Sequence, residues 1–346
     1  MAPTIVLVAA CGGGTSTSSA SPSAGDQPFQ LRLGYLSNLT HASALVGLDR
    51  GSLTAGLPAK TTVQTQVFNA GPAEVEAILG GALDAAYIGP SPAVSSFVKS
   101  KAIRVVAGAT YGGAGLVVRS GLNVQAPDDL KGKTLATPEL GNTQDVAARA
   151  WLAGHGLKTD PQGGGDVRII PTANATALTE MKQGQIDAAW VPEPWLSRMV
   201  IEAHATLKVN EASLWPNGQF ATTELVVTTK LLDERPDIVK GLLKGQVQTT
   251  DWMVKNPTQA RTLAGNALTK LTNSQLSEPV LESAWARLSF SNDPLAASFK
   301  KEAQNAKSAG LLSYSNLSGI FDLRLLNQVL KADGKPAVGS AGLGPA

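Results

Sequence analysis

Short apolar runs alternate along the chain with longer segments in which apolar residues recur every three or four positions. This alternation is typical of β-α units that build a mostly parallel sheet. The segment that starts at residue 29 is expected to form a first α/β lobe that closes near residue 112. Its predicted strands are Leu31–Leu36, Thr62–Val67, Leu83–Ile88 and Arg104–Gly108, and its predicted helices are Ala42–Arg50, Ala73–Leu79 and Pro92–Lys99.

The same alternation starts again at residue 113, and we expect residues 113–222 to form a second lobe. The predicted strands are Gly115–Val118, Thr134–Thr137, Val167–Ile170 and Ile186–Val191, and the predicted helices are Asn142–His155, Ala175–Gln183 and Pro194–Glu202. A strand at Thr222–Thr228 is expected to carry the chain back between the lobes. Residues 223–346 are expected to return to the first lobe and to end in helices separated by prolines.

An internal repeat supports two lobes of one topology. Gly81–Ile88 and Gly184–Val191 follow one pattern. A glycine is followed by any residue, then by Leu or Ile, the triplet Asp-Ala-Ala, an aromatic residue and a β-branched residue. Ser91 and Glu193 follow the two copies, and each stands directly before a proline. Because proline is favoured at the first helical position, these two residues are expected to be equivalent N-caps.

Composition narrows the possible classes of function. The 346 residues are 43% hydrophobic and 16% charged, which is typical of a soluble globular protein. Twenty-nine Lys plus Arg and 27 Asp plus Glu give a net charge of +2 without a basic run, so no nucleic-acid partner is expected. One cysteine and three histidines supply neither a disulfide nor a structural zinc site. Neither a metal nor a cofactor is therefore expected.

Cys11 follows Leu-Val-Ala-Ala and precedes three glycines and a Ser/Thr/Ala-rich run. This arrangement resembles a bacterial lipobox with a flexible tether, which implies acylation of Cys11. Residues 1–28 are expected to be a lipoprotein signal remnant and a Ser/Gly-rich tether. Only ten residues precede Cys11 and none of them is charged, so the natural signal sequence is expected to begin further upstream.

The candidate site follows from a rule of open α/β sheets, which bind ligands beyond the carboxyl ends of their strands, where helix N-termini point. The loops at these ends carry amides and hydroxyls and no Lys or Arg. Converging helix N-termini hold an oxyanion through free N–H groups without a basic side chain. The predicted ligand-binding residues are Asn38, Thr40, His41, Asn69, Ser91, Thr110, Asn142, Thr143, Asn174, Glu193 and Thr222.

Four stretches resemble a known family: Gly34–Ala42, Leu130–Lys133, Thr137–Ala147 and Asp187–Trp195. They are similar to substrate-binding lipoproteins of the nitrate/sulfonate/taurine class of ABC importers. The resemblance implies an α/β, two-lobe periplasmic-binding-protein fold of type II, with a mostly parallel sheet flanked by helices in each lobe and further C-terminal helices. It also implies delivery of a small molecule to an ABC permease, without catalysis. We expect a monomer anchored through Cys11 on the extracytoplasmic face of the cell membrane.

The expected function is capture of a small organic oxyanion between the lobes, an alkanesulfonate, taurine or a nitrate-like ion, by hinge closure. Two other classes stay open at this point. A binding protein for a cationic or neutral metabolite also fits hydroxyl-rich loops and Glu193. An enzyme of pyrimidine or thiamin-precursor metabolism has the same fold, but it is expected to need a cysteine or histidine cluster that this sequence lacks.

Glu193 stands apart from the other predicted site residues, because a carboxylate in a closed cleft repels an anionic ligand. Three roles stay open for it on the sequence alone. Its side chain points away and caps its own helix, or it binds the ammonium of a zwitterion such as taurine, or it serves as a hinge or permease contact.

Overall fold

The computed structural model describes Met1, residues 28–313 and residues 316–346. The expectations for Cys11 and the tether fall outside these residues. The described chain forms two α/β lobes, each built on one sheet. None of the described helices combines the length and the apolar character needed to cross a bilayer.

The first lobe begins with four strands that alternate with helices. Its elements are β1 Phe29–Leu36, α1 Ala42–Asp49, α2 Ser52–Ala55, β2 Thr61–Phe68, α3 Gly71–Leu79, β3 Ala85–Ile88, α4 Pro90–Ser100 and β4 Ile103–Gly112. All four strands and three of the helices agree with the sequence prediction to within a few residues. The short helix α2 was not predicted.

The second lobe is one continuous segment. Its elements are β5 Ala114–Val118, β6 Thr134–Thr137, α5 Thr143–Gly154, β7 Arg168–Pro171, α6 Asn174–Lys182, β8 Ala188–Pro192, α7 Trp195–Glu202 and β9 Thr206–Asn210. Strand β9 was not predicted, because its side chains are alternately exposed and half-buried and carry little apolar signal.

The remainder returns to the first lobe through its central strand. The elements are β10 Ala221–Thr228, α8 Thr229–Glu234, α9 Pro236–Lys255, α10 Pro257–Thr272, α11 Glu278–Trp285, β11 Leu288–Phe290, α12 Ser298–Ser308 and α13 Arg324–Ala332. The return was expected from residue 223, and β10 begins at Ala221. Helix α12 packs against α4 of the first lobe and α5 of the second, so it spans the boundary between them.

The two sheets follow one scheme. Their strand orders are β11-β4-β10-β3-β1-β2 and β7-β6-β8-β5-β9. In each sheet three parallel strands are followed by one antiparallel strand, β10 or β5, that enters from a crossing between the lobes. The two-lobe α/β fold is thus confirmed, but the sheets are mixed where mostly parallel sheets were expected. The crossing strand arrives from the opposite lobe and therefore runs in the reverse direction.

The first crossing is made by two consecutive glycines. Gly112 and Gly113 have φ values of 76° and 73°, a region that other residues rarely adopt. A Cβ on Gly113 would also lie 2.3 Å from a methyl carbon of Leu288. This position accepts only glycine, for reasons of both backbone conformation and space.

The repeated aspartate of the two similar segments has a structural role. Asp84 accepts the backbone N–H of Arg32 on β1 at 2.9 Å, and Asp187 accepts the backbone N–H of Thr134 on β6 at 3.0 Å. Each carboxylate also pairs with an arginine side chain, Asp84 with Arg32 and Asp187 with Arg119. The same contact therefore joins neighbouring strands in both lobes.

A buried ion pair holds the loop between β6 and α5. Asp145 and Arg149 are both 0% exposed, and the carboxylate lies 3.0 Å from the guanidinium Nε. Asp145 also accepts the Thr137 hydroxyl and the Gly141 N–H, each at 2.9 Å. It thereby ties the end of β6 to the start of α5, the segment that carries several predicted site residues.

We expect Arg149→Met to lower the free energy of unfolding by about 3–5 kcal/mol, because it leaves the Asp145 carboxylate buried without its counter-ion. Urea unfolding followed by circular dichroism measures the loss. Lys131→Met is the matched control, since Lys131 and Asp128 form an ion pair 54% and 68% exposed. Exposed pairs contribute at most about 1 kcal/mol. Equal losses in the two variants would contradict the role given to the buried pair.

Candidate functional site between the lobes

The carboxyl ends of the parallel strands in both lobes face a narrow space between them. Three helix starts approach it from the first lobe, at Ala42, Gly71 and Pro90, and three from the second, at Thr143, Asn174 and Trp195. The enclosed space is about 10 Å³, which is room for about one water molecule. We call it the cleft cavity, and its lining residues are Leu36, Asn38, Thr40, His41, Asn69, Gly89, Pro138, Asn142, Thr143, Gln144, Asn174, Pro192 and Thr222.

Eight of the eleven predicted ligand-binding residues line this cavity. They are Asn38, Thr40, His41, Asn69, Asn142, Thr143, Asn174 and Thr222. Gln144 also lines it and was not singled out from the sequence, although it stands in the same Asn-Thr-Gln motif. Its side-chain oxygen accepts the Asn142 amide at 2.8 Å, so this amide is held in place within the cleft cavity.

Hydrogen bonds cross from one lobe to the other beside the cavity. The Trp195 indole N–H donates to Asn38 Oδ1 at 2.8 Å, and the Gly71 N–H donates to Asn142 Oδ1 at 3.3 Å. Gly89 makes the closest approach, since a Cβ there would lie 2.3 Å from Thr143 Oγ1. The lobes are therefore in a closed arrangement, held by contacts that hinge opening would break.

Two buried polar atoms at the cavity, Thr143 Oγ1 and Asn174 Oδ1, have no hydrogen-bond partner among the described residues. Their residues are only 2% and 6% exposed. Such atoms are rare in folded proteins, because each lost hydrogen bond is costly. Thr143 and Asn174 thus leave unused hydrogen-bonding capacity at the cavity, a hydroxyl that can donate and an amide oxygen that accepts.

The cleft cavity is polar but uncharged near neutral pH. Burial lowers the pKa of His41 to about 3, so its imidazole is neutral. Its Nδ1 lies 3.1 Å from the Thr40 hydroxyl. Among the described residues that line the cavity, His41 alone is ionisable. The described chain also contains no group of three or more His, Cys, Asp or Glu side chains placed to hold a metal ion.

Ser91 and Thr110 do not reach the cleft cavity. Helix α4 begins at Pro90, so Ser91 lies inside the helix rather than at its N-cap, and its hydroxyl donates to Glu302 at 2.9 Å. Ser91 was expected to be the N-cap because it precedes Pro92. The helix instead begins at the earlier proline, Pro90. Thr110 is fully buried in β4 within the first lobe.

Glu193 also points away from the cleft cavity. Its carboxylate accepts the Ser197 backbone N–H at 3.0 Å and the Ser197 hydroxyl at 2.9 Å, and it lies 3.6 Å from Arg287. It therefore caps the first turn of α7 from one residue before the N-cap, which is Pro194. Burial raises its pKa to about 7, although the Ser197 bonds and Arg287 act in the opposite direction.

Several larger cavities lie elsewhere in the described chain. One of about 390 Å³ adjoins the cleft cavity and shares Asn69 with it. Another, of about 490 Å³, is lined by Trp215, Lys301, Asp293 and residues 295–298, among others. None of the predicted site residues lines it.

A comparison with known families now adds to the geometry. The sequence profile of the NMT1-like family matches residues 24–267, which is most of the chain. The chain belongs to the NMT1-like family. The match includes every strand except β11, and it includes every residue that lines the cleft cavity of this NMT1-like protein.

Individual relatives of this NMT1-like protein are more distant. A Brucella abortus chain that carries only the general description of a binding protein is 29% identical over 199 residues, 57% of this chain and 59% of that one. The taurine-binding periplasmic protein of Escherichia coli is 24% identical over 198 residues, with the same two coverages. This NMT1-like protein thus matches somewhat more than half the length of these curated relatives.

Solved structures share the fold of the NMT1-like protein. The alkanesulfonate-binding protein SsuA of Xanthomonas axonopodis pv. citri, bound to MOPS, has a TM-score of 0.69 at 21% identity, covering 84% of this chain and 96% of its own. The nitrate-binding protein NrtA of Synechocystis has a TM-score of 0.75 at 14% identity, covering 90% and 92%. At these identities the similarity establishes the periplasmic-binding-protein architecture.

We expect Glu193→Gln to reduce the pH dependence of stability. The folded-state pKa, about 7, lies above the ordinary value of 4.5, so this group contributes stability that is complete below pH 4.5 and is lost as the pH rises through about 7. The variant keeps the cap and removes the ionisable group. The difference in unfolding free energy, variant minus unaltered protein, should therefore become more positive by up to about 3 kcal/mol between pH 4 and pH 8.

Urea titrations across this pH range measure the difference. Glu76→Gln, at an exposed position of α3, controls for the loss of one carboxylate. A difference between the unaltered protein and Glu193→Gln that stays constant with pH would contradict the assignment.

Proposed function

We propose that this chain is an extracytoplasmic solute-binding protein that captures a small organic oxyanion between its lobes and delivers it to an ABC permease. One observation carries the proposal. The unpartnered, buried hydroxyl of Thr143 lies where helix starts from both lobes converge. An oxyanion offers several acceptor oxygens to a site rich in N–H and O–H donors.

The absence of a basic side chain from the cavity lining does not oppose an anion. Each helix start carries roughly half a positive charge and free N–H groups, and the effect is strongest where water is excluded. The relatives agree with this chemistry, since the Escherichia coli relative is named for taurine and the structural neighbours for alkanesulfonate and nitrate. A neutral solute is the second candidate, because His41 is uncharged and every other lining side chain is neutral.

Capture proceeds by hinge motion. The closed cavity has room for about one water molecule, so a solute of several heavy atoms enters only after the lobes separate. Opening breaks the Trp195–Asn38 and Gly71–Asn142 bonds and moves the glycines at the first crossing. The bound solute then supplies acceptors to the donors of both lobes. The lobes close around it and exclude water. No step of this cycle is a chemical reaction, and we propose no catalytic residue.

The experiment is a thermal-shift screen of ethanesulfonate, taurine, nitrate and sulfate, followed by calorimetric titration of the stabilising ion. A ligand present at 100 times its dissociation constant adds about 2.7 kcal/mol to stability. Thr143→Val removes the unpartnered hydroxyl and keeps the shape of the side chain. We expect it to weaken binding by about 1–3 kcal/mol, because a charged ligand loses one hydrogen bond.

Ser91→Ala is the matched control, since Ser91 bonds Glu302 outside the cleft cavity. It should leave the affinity of the folded protein unchanged and lower its stability. Shifts produced by amines or pyrimidines alone would overturn the oxyanion assignment. Equal loss of affinity in both variants would remove Thr143 from the proposed contacts.

We also propose that the mature protein is anchored to the membrane through Cys11. The support is the lipobox-like segment before Cys11 and the Ser/Gly-rich run after it, which together would keep a binding protein close to its permease. In the natural precursor, Cys11→Ala should move the protein from the membrane fraction to the soluble fraction. Cys11→Ala protein that stays with the membrane at the unaltered level would show that the anchor lies elsewhere.

A further inference from the structure

The cavity of about 390 Å³ next to the cleft cavity is bounded by both lobes. The first lobe contributes the loops after β1 and β2 and the end of α10, and the second contributes α6 and α7. We call it the vestibule. Its lining residues are Ser37, Asn69, Ala175, Leu178, Thr179, Lys182, Pro194, Trp195, Arg198, Leu268, Thr272, Ser274 and Leu276.

The vestibule and the cleft cavity are adjacent compartments. Asn69 lines both of them. Trp195 lines the vestibule, and its indole N–H donates to Asn38 of the cleft cavity at 2.8 Å. Asn69 and the Trp195–Asn38 contact therefore form part of the wall that the two compartments share.

Size separates the roles of the two compartments. Small-molecule sites in proteins enclose about 300–1,000 Å³, a range that includes the vestibule and excludes the cleft cavity at about 10 Å³. The bulk of an organic ligand thus fits in the vestibule when the lobes are closed, while only a small polar group fits among the helix starts.

The vestibule also supplies the positive side chains that the cleft cavity lacks. Lys182 and Arg198 line it, and no carboxylate does. Both pair with one acid, Glu202, at 3.0 and 2.8 Å, so the three groups together carry one net positive charge. The Arg198 guanidinium lies 4.9 Å from the centre of the Trp195 ring, which fixes it at the wall.

Apolar side chains complete the lining. Leu178 of the second lobe and Leu268 and Leu276 of the first are 4%, 3% and 7% exposed, so they are firmly packed and present a preformed surface. A hydrocarbon chain that lies between these leucines is shielded from water by both lobes. The vestibule therefore combines an apolar wall with a positively charged end.

We propose that the vestibule is a second ligand subsite, which takes the carbon chain and a terminal anionic group of a bifunctional organic oxyanion whose other end occupies the cleft cavity. This inference rests on the proposed function and specifies the ligand class. It predicts selection for chain length and for a second charge, which capture of a small inorganic ion does not require.

The test compares three probes by calorimetric titration: ethanesulfonate, hexanesulfonate and the ω-carboxylated analogue of hexanesulfonate. Hexanesulfonate should bind at least about tenfold more tightly than ethanesulfonate, because its added methylenes are buried. The ω-carboxylated analogue should gain a further factor of about ten from the positive groups. Arg198→Gln should remove this last gain alone, and Arg198→Lys should restore part of it.

A second variant tests the space independently of the charge. Ala175 lines the vestibule at an exposed position of α6, so Ala175→Trp fills the cavity without disturbing the core. It should abolish the preference for the two long probes and leave ethanesulfonate binding within about twofold, because a tryptophan there removes space and no cleft contact. Lys131→Gln, a surface cation outside both compartments, should change none of the three affinities.

The outcomes separate the two proposals. Equal affinity for all three probes, or an equal effect of Arg198→Gln on each of them, overturns the second subsite and leaves capture in the cleft standing. Failure of every probe to bind the unaltered protein overturns the proposed capture of sulfonates and the subsite with it.

Discussion

The closed arrangement of the lobes depends on the electrostatics of helix ends. Six helix starts direct free N–H groups toward one small space, three from each lobe, and each start carries roughly half a positive charge. Such ends repel one another unless acceptors lie between them. Asn38 Oδ1 and Asn142 Oδ1 supply two acceptors, both used in bonds that join the lobes. Each hydrogen-bond acceptor placed in the cleft cavity therefore favours closure of the lobes.

Several buried carboxyl groups lie behind the cleft, and burial acts against their negative charge. Glu74 and Glu224 are completely buried in the first lobe, and burial raises the pKa of both well above the usual range. Burial likewise raises the pKa of Glu302 to about 8, in part because Glu211 lies nearby. Burial therefore disfavours the charged form of Glu74, Glu224 and Glu302, which limits the negative charge behind the helix starts.

Much of the fold was predictable from local sequence, because strand and helix periodicities are properties of short segments. Asn38, Asn69 and Thr143 were also correctly placed at the cleft. The rule that ligands bind beyond the carboxyl ends of the strands depends only on where a strand ends. Strand direction was not predictable, because β5 and β10 take theirs from crossings between distant parts of the chain. The vestibule was not predictable either, since its wall includes Leu268 from a C-terminal helix in which the sequence predicted no site residue. Short-range pattern could not reveal that contact.

The path of the chain has a consequence for the order in which the lobes can be completed. The second lobe is one uninterrupted stretch from β5 to β9, whereas the sheet of the first lobe requires β10, which lies between β3 and β4. A chain that ends after β9 therefore contains every strand of the second lobe, while β3 and β4 have unpaired edges until Ala221–Thr228 is present. Unpaired strand edges are sites of non-specific pairing with other chains. Truncation before β10 would thus leave the first lobe, whose sheet begins nearer the N-terminus, as the part of the molecule prone to association.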